Sequence, residues 1–252
     1  MKDHYQAIYL SPHLDDAALS CGGQISELTE KGETALVVTI MAGNPVGRTP
    51  SEYAQSLHQR WQLLDEVVQS RRTEDVAACH VMGADWQHWD FLDCIYRVDS
   101  VTQRPYYTSN QDIFGEIDPA ENALVEKLSK RMAQLPSCEQ LFLPLTLGHH
   151  VDHQLTRQAA ECCFSTANLL YYEDYPYADT FSAEQQIAQE DGRWVARVVE
   201  LTEKAITTRI NAIQCFKSQI STFFEDQQAL ASQVRAYINA VGGERLWSVI
   251  QD

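Results

Sequence analysis

Long hydrophobic segments and disulfide-type cysteine spacings are missing from this sequence. No apolar run is long enough to span a bilayer, and residues Met1–Gln6 contain no apolar signal-peptide core. The 7 cysteines are an odd number and include no Cys-x-x-Cys pair, so we do not expect a disulfide framework. Free thiols are typical of a reducing compartment, and the sequence therefore predicts a cytoplasmic protein without a membrane span.

Basic residues are also scarce. Lys and Arg number 19 against 35 Asp and Glu, which gives a formal net charge of -16 at pH 7. Nucleic-acid phosphates are bound largely by Lys and Arg, so this balance predicts that nucleic acid is not a partner. A small anionic substrate is still compatible with the sequence, because it needs only a local basic patch.

No repeat, low-complexity segment or linker divides the chain of 252 residues. With 44% hydrophobic and 21% charged residues, its composition is that of ordinary globular proteins. We therefore predict a single domain over residues 1–252. The sequence is compatible with a homo-oligomer but does not define the oligomeric state.

Strand and helix patterns alternate along the chain. The apolar run Ile8–Leu10 and the β-branched run Thr34–Ile40 predict buried strands, and Ala17–Lys31 between them predicts a helix. Such alternation is typical of an α/β fold, here a Rossmann-like three-layer sandwich with helices on both faces of a mostly parallel sheet. The other predicted elements are strands at Gln140–Leu143, Leu169–Tyr172, Trp194–Leu201 and Arg245–Ile250, helices over Ser51–Met82, Pro119–Leu135, Asp152–Ser165, Thr202–Phe224 and Asp226–Val241, and an irregular surface loop over the site at Tyr96–Asp118.

Imidazole and carboxylate groups are concentrated in two loops that follow predicted strands. Ser11–Asp16 follows the first strand, and His149–His153 follows the apolar run Leu141–Leu145. The carboxyl ends of parallel strands lie at one edge of the sheet, where α/β proteins place their chemistry. We therefore expect the two loops to form one metal site.

A hydrolytic zinc site has three protein ligands and an open position for water. His13, Asp16 and His153 supply two nitrogens and one oxygen for such a site, and we predict one zinc ion per chain. Zinc lowers the pKa of its bound water toward ~7. Asp15 is not part of this ligand set but is expected beside the metal, where it can take a proton from that water.

Other polar residues of the second loop have predicted roles as well. His150 lies three residues before His153 and can face a substrate oxygen, and Asp152 can hold the His150 ring by accepting its second N–H. Simpler interpretations stay open at this stage. An Asp before a helix is often only an N-cap, and His149 and His150 could belong to an ordinary polar loop.

The motifs resemble those of a known family. Ser-Pro-His-Leu-Asp-Asp-Ala at Ser11–Ala17 with Gly22-Gly23, together with Gly-His-His-Val-Asp-His at Gly148–His153, resembles the LmbE-like zinc de-N-acetylases of the PIG-L family. These enzymes remove acetyl groups from N-acetylglucosamine units. Arg71–Asp75 is similar to the family's Arg-x-x-Glu helix, and the resemblance covers most of the chain.

By this resemblance, the zinc ligands are His13, Asp16 and His153. Asp15 matches the general base, and His150 matches the residue that stabilises the oxyanion and helps to protonate the amine. The resemblance also places Arg71 and Asp93 at substrate-contacting positions.

The implied function is zinc-dependent hydrolysis of the N-acetyl group of an N-acetylglucosamine-type substrate, giving acetate and a free amino sugar. The implied partner is a small N-acetylated amino sugar or glycoconjugate, and the group attached to the sugar stays open. An alternative is a non-catalytic sugar or sugar-nucleotide binding protein on the same fold. Zinc content and acetate release distinguish the two.

Three positions depart from the pattern that many family members share. Ala17 stands where many have Glu, and Leu14 and Val151 stand where many have Pro. Ala17 supplies no ligand in the predicted site, so we expect the hydrolytic reaction to proceed without a Glu at this position. Because Pro fixes φ, the two loops are expected to be less rigid here.

Overall fold

Seven strands form one mixed sheet in the computed structural model, which describes residues 2–47, 49–63 and 66–250. The strands are β1 His4–Ser11, β2 Ala35–Thr39, β3 Asp85–His88, β4 Ser137–Pro144, β5 Leu169–Tyr172, β6 Arg193–Val199 and β7 Glu244–Ile250. Their order across the sheet is β3-β2-β1-β4-β5-β7-β6. The strands from β3 to β5 in this order run parallel, whereas β7 pairs antiparallel with both β5 and β6.

Helices cover both faces of the sheet. They are α1 Asp16–Glu30, α2 Glu52–Arg60, α3 Val67–Met82, α4 Asn110–Ile113, α5 Asn122–Met132, α6 Val151–Cys163, α7 Ala183–Ile187, α8 Glu203–Gln214, α9 Lys217–Phe223 and α10 Gln227–Val241. Ile8 of β1 belongs to one buried cluster with Leu128 of α5 and Leu155 of α6, and Tyr9 belongs to another with Ile25 of α1. Successive strand side chains point to opposite faces. The predicted three-layer α/β fold is confirmed.

The predicted strands and helices are present, with shifts of a few residues at their ends and two differences. The predicted helix Thr202–Phe224 is divided into α8 and α9, and the predicted loop Tyr96–Asp118 contains the short helix α4. The predicted helix over Ser51–Met82 consists of α2 and α3, and Leu64 and Asp65, which that prediction also covered, lie outside the described residues. The sequence did not predict β3, because four residues of mixed polarity carry no strand pattern. No helix in the described ranges is both long and apolar enough to cross a membrane.

The centre of the sheet determines where the two loops meet. β1 and β4 are neighbours there, with Tyr9 opposite Phe142. From β1 the chain continues to β2 and β3 on one side, and it then crosses to β4 on the other side. Ligands of such sheets bind in the crevice at this reversal, outside the carboxyl ends of the strands. The loops after β1 and β4 therefore flank the same crevice.

Candidate metal and catalytic site

The loop after β1 is held in an unusual backbone conformation. The Ser11 hydroxyl donates to the carbonyl of His13 at 2.7 Å and accepts the Ala17 N–H at 3.1 Å. Asp15 has a φ of 149°, which is rare for a residue with a side chain and costs conformational energy. Although Asp15 precedes α1, its side chain makes no capping hydrogen bond. The simple N-cap interpretation therefore does not account for Asp15.

The loop after β4 ends at the first turn of α6. Thr146, Gly148 and His149 all have positive φ, so the chain turns tightly before the helix. His150 is the N-cap residue, and its Nδ1 accepts the backbone N–H of Asp152 at 3.2 Å. An accepting Nδ1 carries no proton, which assigns the proton of a neutral His150 ring to Nε2.

The predicted metal ligands lie together at the meeting point of the two loops. Oδ2 of Asp16 is 3.4 Å from Nδ1 of His13 and also 3.4 Å from Nε2 of His153. The same Asp16 oxygen accepts the backbone N–H of His13 at 2.7 Å. Ring nitrogens of His13, His150 and His153 also lie within 4.8 Å of one another. The imidazoles of His13 and His153 face the Asp16 carboxylate, whereas His150 lies beside them.

The imidazoles of His13 and His153 each form a hydrogen bond to a buried carboxylate through the nitrogen that does not face Asp16. Nε2 of His13 donates to Oδ2 of Asp152 at 2.9 Å, and Nδ1 of His153 donates to Oδ1 of Asp174 at 2.6 Å. A metal-ligating histidine typically donates its other N–H to such an acceptor, which fixes the ring and its tautomer. The nitrogens that face Asp16 are then free to accept a metal. Two imidazole nitrogens and one carboxylate oxygen are a suitable donor set for zinc, and these residues fit a divalent cation.

The contact of Asp152 differs from the prediction that it holds the His150 ring. Its carboxylate instead accepts hydrogen bonds from His13, from the backbone N–H of Cys94 at 2.9 Å, and from Arg97. The physical reason is the position of both residues at the start of α6. The backbone N–H of Asp152 already occupies Nδ1 of His150, while the Asp152 side chain points across to the neighbouring loop.

Two residues that support the site were not predicted. Asp174 is the second residue after β5, so the same strand-end argument that selected the other loops could have indicated it. Arg97 carries no such signal, because it lies in an irregular segment. Its guanidinium pairs with Asp152 and also with Glu121, and all three side chains are buried.

Asp15 lies beside the ligand set and contacts a buried arginine. Nη2 of Arg71 is 3.4 Å from Oδ2 of Asp15 and donates to the carbonyl of Leu14 at 3.1 Å. Burial raises the pKa of Asp15 to about 7, although the Arg71 charge acts in the opposite direction. Burial also acts to raise the pKa of Asp16, but the adjacent imidazoles outweigh it and hold that pKa well below its usual range. One carboxylate is therefore suited to proton transfer and the other to ligation.

The two predicted substrate-contacting residues lie in the same cluster. Oδ2 of Asp93 is 4.0 Å from Nε2 of His13 and 4.0 Å from Nη1 of Arg71. His150 is buried as well, and burial together with the charges of His13 and His153 lowers its pKa well below the usual range. Asp93, Arg71, His13 and His150 line a cavity of about 290 Å³.

Several known proteins are similar to this chain in sequence and in fold. Residues 8–164 match the sequence profile of a family described as PIG-L, GlcNAc-PI de-N-acetylase. A 2'-N-acetylparomamine deacetylase from Niallia circulans is 30% identical over 193 residues, which are 70% of this chain and 69% of that protein. The fold is similar to the zinc-inhibited form of teicoplanin deacetylase, with 25% identity, 98% of each chain covered and a TM-score of 0.82. An A40926 pseudoaglycone deacetylase is 27% identical, with 98% and 97% covered and a TM-score of 0.73.

Proposed function

Because the chain belongs to the PIG-L family of de-N-acetylases, we propose that it hydrolyses the N-acetyl group of an N-acetylglucosamine-type unit with one zinc ion per chain. The sequence and structural relatives named above are deacetylases of this family, so the chain is an enzyme that acts on an amide bond. The observation that supports the metal is the orientation of His13 and His153, which each turn one nitrogen toward Asp16 and the other toward a buried carboxylate. In this proposal His13, Asp16 and His153 hold the ion.

Proton transfer is the part of the reaction that this proposal assigns to Asp15. A bound zinc ion would polarise the acetyl carbonyl and make water at the site more acidic. Asp15 lies next to the ligand set without belonging to it, and its carboxylate can take the proton from the attacking water. Its raised pKa suits this role, since a carboxylate with a pKa near neutrality is a stronger base than an ordinary one. The same proton can then pass to the departing amine.

His150 is proposed to stabilise the negative charge that develops on the acetyl oxygen. Its Nδ1 is occupied by a backbone N–H, so a neutral ring carries its proton on Nε2 and can donate it as a hydrogen bond. Preorganised donors of this kind lower the barrier because they need no reorientation during the reaction. Asp152 contributes indirectly, because it holds His13 through Nε2.

Arg71 and Asp93 are proposed to bind the sugar. Both side chains line the cavity beside the catalytic groups. A guanidinium and a carboxylate together can donate to and accept from sugar hydroxyls, which fixes the orientation of the acetamido group. Correct placement of the reacting atoms is itself a large part of catalysis.

The direct test is an acetate-release screen of the zinc-loaded protein. The panel contains N-acetylglucosamine, its glycosides, 2'-N-acetylparomamine and an N-acetylglucosaminyl pseudoaglycone of the teicoplanin type. We expect acetate from at least one of these, and turnover lower on the order of 10²–10⁴-fold in the Asp15→Asn variant, which keeps the shape of the side chain. A zinc-loaded, folded protein that releases acetate from no member of the panel would support the alternative of a non-catalytic sugar-binding protein.

A further inference from the structure

A row of buried side chains with alternating charge extends from His13 away from the proposed metal site. Nε2 of His13 donates to one oxygen of Asp152, and the other oxygen of Asp152 accepts from Nη1 of Arg97. Arg97 in turn donates to both oxygens of Glu121, from Nε at 2.5 Å and from Nη2 at 2.9 Å. Asp152, Arg97 and Glu121 are 0%, 7% and 5% exposed. Each of these charges therefore depends on its neighbours in the row for compensation.

Arg97 provides the charge that compensates Asp152. Oδ2 of Asp152 accepts from His13 and from the backbone N–H of Cys94 at 2.9 Å, whereas Oδ1 accepts from Arg97. Among the described residues that donate to Asp152, Arg97 is the one with a permanent positive charge. Without this arginine, Asp152 would be a buried carboxylate with no permanent counter-charge, and its position beside His13 would be less favourable.

The guanidinium of Arg97 is fixed from several directions. Besides its two carboxylate partners, it donates from Nη1 to the carbonyl of Leu92 at 3.0 Å and lies 5.5 Å from the centroid of the Tyr107 ring. A planar guanidinium donates in several fixed directions at once, whereas a lysine ammonium is a point charge on a flexible stem. A lysine here would keep the charge but could not bridge Asp152 and Glu121 in the same geometry.

The same arginine closes the base of a segment that reaches the cavity. Residues 98–120 begin after Arg97 and end at Glu121, so this ion pair joins the two ends of the segment. Within the segment, the Tyr107 hydroxyl also donates to Glu121, at 2.7 Å. The segment contributes three side chains to the lining of the cavity, Asn110, Ile113 and Phe114. The position of this part of the cavity wall therefore depends on the contact between Arg97 and Glu121.

We propose that Arg97 is a positioning residue that connects the metal site to the cavity wall. Through Asp152 it fixes His13 for the metal, and through Glu121 it holds segment 98–120 against the cavity. This inference rests on the proposed function and adds a residue that is not among those lining the cavity. Because both contacts share one guanidinium, zinc bound at His13 stabilises the closed segment, and by reciprocity the closed segment favours zinc binding.

Arg97→Lys tests the contact with the metal site, and Arg157→Lys is the matched control. Arg157 also pairs with a carboxylate through two nitrogens, donates to a carbonyl and lies beside an aromatic ring. Its partners are Glu190, Leu145 and Tyr171, and none of these is among the described residues lining the cavity. Competition with a chelator measures the zinc Kd. We expect it to weaken roughly 10- to 100-fold in Arg97→Lys and to stay within about threefold of the wild-type value in Arg157→Lys.

A double-mutant cycle distinguishes positioning from a general loss of stability. If Arg97 acts on the metal through Asp152, Arg97→Lys should weaken zinc binding no further once Asp152→Asn is present. We expect the zinc Kd of the double variant to lie within about threefold of that of Asp152→Asn. A larger additional loss shows that Arg97 acts by another route and overturns the proposal. Equal weakening of zinc binding in Arg157→Lys also overturns it, because the effect is then not specific to the row of charges.

Hydrogen exchange of the wild-type enzyme tests the connection to the cavity wall and does not depend on the folding of any variant. We expect the backbone amides of segment 98–120 to exchange more slowly in the zinc-loaded protein than in the metal-free protein, because zinc makes opening of the segment less favourable. Strand β6 has no residue among the described lining of the cavity, so its exchange should be the same in both forms. Equal exchange of segment 98–120 in the two forms contradicts the proposal.

Failure of the proposed function gives a different result. If the wild-type protein binds no zinc, the metal site itself is wrongly assigned. If the wild type binds zinc and folded Arg97→Lys binds it equally well, the metal site stands and only the role of Arg97 is wrong.

Discussion

Two adjacent buried carboxylates allow the proposed metal site to be tested against a closely matched control. Asp174 accepts the His153 Nδ1–H at 2.6 Å through one oxygen and the Leu147 N–H at 2.9 Å through the other. Its neighbour Glu173 is equally buried but accepts from groups away from the site. Those donors are Arg245 Nε at 2.6 Å, Trp247 Nε1 at 2.9 Å and the Tyr237 hydroxyl at 2.9 Å.

Asp174→Asn should weaken metal binding and also reduce stability. Asparagine replaces one of the two carboxylate oxygens with an NH2 donor, so one of the two N–H groups loses its acceptor. A buried donor left unpaired costs about 1–3 kcal/mol of unfolding free energy. Loss of the carboxylate behind a ligating histidine typically lowers metal affinity 10- to 100-fold, or about 1.4–2.8 kcal/mol. Glu173→Gln also loses an acceptor, so a comparable loss of stability is expected. Its metal affinity should be unchanged.

The assay is a competition between the protein and a zinc chelator, combined with thermal unfolding of the metal-free forms. A weaker zinc Kd in Asp174→Asn alone, at similar stability of the two variants, is the expected result. If Glu173→Gln loses as much affinity, the effect reflects a loosened fold. If Asp174→Asn binds zinc as the wild type does, His153 is not oriented for a metal and the ligand assignment is refuted.

The remaining predictions concern the catalytic groups and the metal. His153→Ala should remain folded and lose most of its bound metal. If elemental analysis shows an unchanged metal stoichiometry in this variant, His153 is not a metal ligand. Asp15→Asn should keep the metal while turnover falls on the order of 10²–10⁴-fold. Wild-type turnover or loss of the metal in this variant would show that the roles of base and ligand are wrongly assigned to Asp15 and Asp16. His150→Ala should lower turnover by roughly 10²–10³-fold with a smaller effect on KM, and an unchanged turnover removes His150 from the mechanism. Burial and the charges of His13 and His153 lower the pKa of His150, so its ring is neutral near pH 7, and His150→Ala should leave the alkaline limb of the pH–rate profile unchanged. A flattened alkaline limb in this variant would instead show that a charged His150 protonates the amine. A bound cation lowers the pKa of a nearby carboxyl. The acid limb of the pH–rate profile, which Asp15 sets in this proposal, should therefore lie below pH 7 in the zinc-loaded enzyme. An apparent pKa above 7 for this limb contradicts the role of Asp15 as the base.

The sequence alone was sufficient for the fold class and for the expectation that the two loops meet. Local patterns determine strands and helices, and parallel strands bring all of their carboxyl ends to one edge of the sheet. Two loops rich in imidazole and carboxylate could therefore be assigned to one site before any contact was known. His13, Asp16 and His153 do lie together there.

The groups that orient those ligands were decided only by the tertiary structure. Asp152 contacts His13 across 139 positions of sequence, and Arg97 reaches Asp152 from an irregular loop, so neither contact follows from a periodic pattern. Which nitrogen of an imidazole faces a carboxylate depends on backbone dihedrals, such as the φ of 149° at Asp15, and on side-chain packing. Chain order limits which elements can meet, but the directions of individual side chains follow from how those elements pack.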